Sequence, residues 1–140
     1  MEALNRRSTF ALGLTMAATP LVAWATPAAA QSYGPDEGKE IGPGVRVIAL
    51  GERASNISAY ATVKLRDVVI QPGAKTPENM MPNDMVCHMT EGELSIVQNK
   101  KMFTVKKGDV WTCAKTDNTE GTQNTSNTVA IMRIIDLMPA

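Results

Sequence analysis

The sequence predicts an all-β domain, a small antiparallel sandwich or barrel, and three observations carry that prediction. Short runs rich in Val, Ile, Thr and aromatic residues recur along residues 45–137. Clusters of Gly, Pro, Asn, Asp and Lys separate them at close intervals, as the turns of sandwiches and barrels do. No stretch after residue 31 keeps its apolar residues at the three-and-four spacing of a helix.

The first run is VRVIAL, residues 45–50. YATVKLRDVVI, residues 60–70, is longer, and its first half alternates. Tyr60, Thr62, Lys64 and Arg66 fall on one face, and Ala61, Val63 and Leu65 on the other. QPGAKTP ends it. DMVCHMT (84–90) and ELSIV (93–97) flank Glu91-Gly92. MFTV (102–105) follows the polar QNKK, so 93–105 reads as a hairpin. KKGD turns the chain into VWTCA (110–114), and VAIMRIIDL (129–137) closes the series. Between these two, KTDNTEGTQNTSNT (115–128) reads as a loop or an exposed edge strand. It is polar enough to meet a sugar or another polar ligand.

Residues 1–30 read as an export signal. Arg6 and Arg7 form a basic start, and an Ala-rich apolar run covers residues 10–30. Ala28 and Ala30 occupy the small-residue positions of a cleavage site before Gln31. Thr15, Thr19, Pro20, Thr26 and Pro27 weaken the same run as a membrane-spanning helix. The Arg pair in NRRSTF resembles a twin-arginine signal, although Phe10 stands three residues after Arg7 rather than two. A general secretion signal is the alternative, and both imply a periplasmic or secreted protein. Residues 31–43, QSYGPDEGKEIGP, read as a flexible leader or loosely docked arm. The barrel is left with residues 44–140.

The chain carries 14 Lys+Arg and 14 Asp+Glu. Removing Arg6, Arg7 and Glu2 with the signal leaves 12 and 13 in residues 31–140. So even a balance supplies no basic patch for nucleic acid or anionic lipid. No membrane partner is expected once the signal is gone. A chain of about 110 residues buries one core without metals or staples. Cys87 and Cys113 are the two cysteines, and an oxidising compartment permits a disulfide between them.

PENMMPNDMVCHMTEGEL, residues 77–94, gathers four methionines, Cys87 and the single histidine, His88. Its frame is regular. Gly73 is followed by five residues to Asn79, one to Met81, three to Met85 and six to Gly92. A second frame starts at Gly108-Asp109 and counts on through Ala114, Thr116, Thr119 and Gln123, with Asn124 beside it. In these spacings the chain resembles a small single-domain cupin, a jelly-roll β-barrel. The resemblance covers most of 45–137 and is carried best by LRDVVIQPGAKTP, TEGELSIV and VKKGDVW.

It implies turns at Gly73, Gly92, Gly108 and Asp109, where positive φ favours glycine, and a homodimer. The family holds iron, manganese or a similar metal through three His and one Glu. At those positions this chain has Asn79, Met81, Thr119 and, for the Glu, Met85. The resemblance therefore implies the fold without that metal chemistry, and no tight iron, manganese or zinc site.

Alternation from Met85 places Cys87 and Met89 on the same inward face and His88 outside. The candidate pocket residues are thus Asn79, Met81, Met85, Cys87, Met89 and Thr119. Met and Cys fill apolar interiors readily. The favoured reading is an apolar, Met-lined cavity that binds a small molecule and holds no cofactor. The alternative is a Cu(I) or Ag(I) site with Met81, Met85 and Cys87 as soft ligands. A divergent enzyme is a further alternative, with Glu78, Asp84 and Glu91 as its acids. His88 lies on the opposite strand face from Cys87, a poor geometry for a Cys-His pair. No catalytic residue is assigned.

Overall fold

The computed structural model describes residues 33–116 and 118–140. Residues 1–30, read from the sequence as an export signal, and the first two residues of the expected leader lie outside the described residues. Among the described residues there are ten strands and no helix. They are β1 (Lys39–Gly42), β2 (Val45–Ala54), β3 (Tyr60–Ile70), β4 (Lys75–Met80) and β5 (Asp84–Glu91). Then come β6 (Glu93–Gln98), β7 (Lys101–Lys106), β8 (Val110–Cys113), β9 (Thr119–Gln123) and β10 (Ala130–Pro139). A six-stranded sheet runs β1-β2-β3-β10-β5-β8, and a four-stranded sheet runs β4-β9-β6-β7. Every pairing is antiparallel.

The two sheets bury their facing side chains against each other. The larger sheet contributes Val45, Val68, Ile70, Met85, Cys87, Met89, Ala130, Met132 and Ile134, and β8 adds Cys113. The smaller sheet contributes Leu94, Ile96 and Val105. Alternation is clean on β5, where Met85, Cys87 and Met89 are buried and Val86, His88 and Thr90 are half-buried. The 93–105 hairpin forms as expected. Its β6–β7 turn places Asn99 and Lys100 at φ of 50° and 64°, the left-handed pair that suits a two-residue turn between twisted strands.

Three segments differ from the sequence reading. The described part of the arm, residues 33–43, is docked: Lys39–Gly42 pairs with β2, and the Tyr33 hydroxyl donates to Asp67 Oδ2 at 2.6 Å. Lys75–Met80, within and beyond the stretch expected to break the strand, is β4. Part of the polar run 115–128 is β9, which sits between β4 and β6 rather than at an edge. Glu120, Gly121 and Thr122 are buried there, so hydrogen bonding rather than apolar content makes this strand.

The inward face of β3 also reverses the one its apolar residues suggest. Arg66 and Val68 face the space between the sheets, whereas Val63 and Leu65 lie on the other face beside Gly51 and Arg53. Arg66 is accommodated because Asp136 on β10, 6% exposed, takes it in two bonds. Nε reaches Oδ2 at 2.6 Å and Nη2 reaches Oδ1 at 3.1 Å. Asn83 Nδ2 adds a bond to the same Oδ1 at 3.1 Å. Paired this way, a buried charge avoids most of the desolvation penalty of an isolated one.

Candidate functional site

A cavity of about 230 Å³ opens at one end of the space between the sheets. Val68, Met81, Met85, Met132 and Ile134 supply its apolar wall, and Arg66, Thr76, Asn79, Glu120 and Thr122 its polar groups. Thr76 and Thr122 hydroxyls bond each other at 2.9 Å across the β4–β9 pair. The mouth is formed by Ile41, Pro77, Met80 and Pro82, and Met80 is 61% exposed there.

The sequence-derived pocket residues divide into three groups. Asn79, Met81 and Met85 line the cavity. Cys87 and Met89 face inward, as alternation requires, but they are fully buried in the core rather than at the cavity surface. Thr119 is not in the cavity. Its hydroxyl bonds Glu78 and its amide bonds Asn99 Oδ1. The inward residue is the next one, Glu120, which pairs in register with Asn79.

The second frame slips by one at the same place. Asn124, not Gln123, is the fully buried residue, and its Nδ2 donates to the Ile70 and Thr128 carbonyls at 2.9 and 2.8 Å. Glu120 and Asn124 keep the four-residue step expected of Thr119 and Gln123. Glu120, not Thr119, therefore lines the cavity with Asn79, Met81 and Met85, so a carboxylate stands beside the place where the sequence reading put a threonine. A one-residue shift is invisible in a run of Thr, Asn, Gln and Gly, because no apolar alternation marks its faces.

Beside the cavity Glu120 meets both cysteines. Glu120 Oε2 accepts from Cys113 Sγ at 2.6 Å, from Trp111 Nε1 at 3.2 Å and from Gln98 Nε2 at 3.3 Å. Gln98 Nε2 also lies 3.3 Å from Cys113 Sγ and 2.9 Å from the Thr112 carbonyl. The three ligand atoms of Cys87, Cys113 and Glu120 all lie within 4.8 Å of one another, and all three residues are buried.

Burial pushes the Glu120 carboxyl up from its ordinary value, and the Cys113, Trp111 and Gln98 donors pull it part of the way back. The Cys87 thiol is pushed strongly up, first by the neighbouring Cys113 thiol, then by burial and the Glu120 charge. Arg66 acts in the opposite direction on Cys87. Both cysteines are free thiols. β5–β8 pairing sets Cys113 opposite Met85 and Cys87 opposite Trp111, so the two are diagonal neighbours. Diagonal Cα atoms stand about 7–8 Å apart in a sheet, beyond the usual disulfide span of about 4.4–6.8 Å.

His88 lies opposite Arg133 and Val110 on the other face of β5, away from the thiols. Asp84 is committed elsewhere, accepting from the Lys115 amide at 2.7 Å and the Tyr60 hydroxyl at 2.8 Å. Those bonds, in that order, lower its carboxyl below the usual range.

No protein-family model matches the sequence, and no curated protein does. Solved structures do match the fold. The cupin domain of Schizosaccharomyces pombe Cnp3 superposes with a TM-score of 0.57 at 15% identity, over 69% of this chain and 66% of that one. A sugar phosphate isomerase of the cupin superfamily from Silicibacter pomeroyi gives 0.54 at 24% identity, over 67% and 59%. The Cupin_2 domain of an XRE family transcriptional regulator from Enterobacter cloacae gives 0.56 at 13%, over 70% and 100%. The chain thus spans less than two thirds of the first two proteins. At these identities the likeness is one of architecture: this chain folds as a small antiparallel jelly-roll β-barrel, the fold of the cupin domains.

Proposed function

We propose that the protein is an exported binding protein that takes a small, mainly apolar molecule into the cavity between its sheets. The observation that carries this reading is the cavity itself, walled on one side by methionine, valine and isoleucine and carrying the polar side chains of Arg66, Thr76, Asn79, Glu120 and Thr122. Its volume of about 230 Å³ is below the roughly 300–1,000 Å³ of sites for drug-sized molecules, so the ligand is small. Methionine side chains adapt to the shape of what they enclose. Arg66, held at the wall by Asp136, favours a ligand with one acidic or carbonyl oxygen. The likeness to a sugar phosphate isomerase contributes fold to this reading and no substrate. Arg6, Arg7 and the Ala28/Ala30 site support export.

The reading is tested on protein carrying methyl-labelled methionine, titrated with a panel of small aromatic and aliphatic carboxylic acids. Met81, Met85 and Met132 methyl resonances should shift saturably with those acids that fit. Met132→Trp, which fills the space, should abolish the shifts. Methyl resonances that stay fixed across the panel would sink the proposal.

A further inference from the structure

The two thiols beside the cavity are not needed to bind an apolar molecule, and a carboxyl buried against them is costly in a core that apolar side chains could fill. Cys87, Cys113 and Glu120 come from three different strands, β5, β8 and β9, and from both sheets. Their ligand atoms nevertheless converge within 4.8 Å. Zn–S bonds of about 2.3 Å and Zn–O bonds of about 2.0 Å set ligand separations of roughly 3.5–3.8 Å at a tetrahedral ion. The sulfurs are therefore close enough to share one ion, although their diagonal register opposes a disulfide.

We propose that Cys87, Cys113 and Glu120 form a binding site for a thiophilic divalent cation of the zinc class. Two sulfurs with one carboxylate oxygen suit zinc better than Cu(I), which prefers sulfur alone. The set also differs from the Met81, Met85 and Cys87 trio, of which only Cys87 is retained. Gln98 and Trp111 stand behind the ligands. Each donates to Glu120 Oε2, and Gln98 also reaches Cys113 Sγ. Such outer partners fix ligand orientation and sustain affinity.

Entry of the ion replaces the Cys113–Glu120 hydrogen bond. At 2.6 Å that pair must part by about 1 Å to become two corners of a tetrahedron. The two thiol protons leave to solvent as the thiolates form, and no electron is transferred. Arg66, whose charge favours the Cys87 thiolate, offsets the negative charge that two thiolates and a carboxylate bring to one dication.

The full chain, purified and kept reduced, is titrated with Zn²⁺ against a chromophoric chelator, and separately with Co²⁺. One ion per chain should bind, with release of about two protons, and cobalt should give an intense thiolate-to-metal charge-transfer band. Cys87→Ser and Cys113→Ser should each weaken zinc binding by more than the roughly 10- to 100-fold that loss of an outer partner costs. Glu120→Gln should weaken it less, and Met81→Leu should leave it unchanged. The parent's cobalt spectrum needs no variant, so a Ser variant that fails to fold leaves the test intact. Absence of the charge-transfer band, or zinc affinity that survives both Ser variants, would overturn the site. Neither result bears on the methyl titration of the cavity.

Discussion

At the scale of single residues, the fold depends on Gly92 more than on Gly73 or Gly108, where an added Cβ would meet nothing within 4 Å. Gly92 lies at φ 74°, where the chain leaves β5 in one sheet and enters β6 in the other. A Cβ there would meet the Val129 carbonyl oxygen at 2.5 Å and Ala130 Cα at 3.0 Å. At Gly108, φ is 96° and a Cβ would meet nothing within 4 Å. Gly108→Ala should therefore cost only backbone strain, about 1–2 kcal/mol. Gly92→Ala adds backbone overlap and should cost upwards of about 3 kcal/mol. Urea midpoints of the two variants check the order, and equal losses would contradict it. The glycines were legible because each punctuates a strand boundary that local residues already mark. Glu120 was not legible, since its polar neighbours give no phase to mark which residues of β9 face inward. Met81 and Met85 were found by spacing alone, and the convergence of Cys113 with Cys87 required the strand register.

At the scale of elements, seven strands were legible because apolar or β-branched residues mark them, and three were not. β4 and β9 carry Thr, Glu, Asn and Gln and are stabilised by pairing with each other and by the Thr76–Thr122 bond. β1 is held by what surrounds it. Upstream of it, Tyr33 reaches across to Asp67 on β3, and Arg133 on β10 binds the same carboxylate in two bonds at 2.8 and 2.9 Å. Burial first, and then the bond to Asp67, pushes the Tyr33 phenol above its ordinary value. A folded-state value raised in this way means that docking favours the neutral phenol. The stabilisation is fully present below the ordinary tyrosine value of about 10 and is lost as pH rises through the raised one. The protein has two tyrosines, so Tyr60→Phe isolates Tyr33. Its tyrosinate absorbance should appear above the ordinary pH and return to it in denaturant. A midpoint already at the ordinary value would mean that the arm is not docked in solution.

At the scale of the whole molecule, the larger sheet is ordered out of step with the chain. β10 follows the other nine strands in sequence but lies between β3 and β5 in space, with ten register pairs to the first and seven to the second. Until residues 130–139 have been made, β3 and β5 each present an unpaired edge, a ready template for pairing with another chain. Removing everything after Val129 should abolish the cooperative unfolding transition, which circular dichroism against temperature would reveal. A truncated chain that still melts sharply would show that β10 is dispensable. The consequence is one of timing. About half of the larger sheet's pairing must wait for a strand that lies 60 to 79 residues beyond its partners on β3 and 40 to 53 beyond those on β5, and such distant closures put folding in the range of milliseconds to seconds. During that interval the polypeptide is vulnerable: it carries two bare edges until its last strand arrives, and both close together when that strand docks.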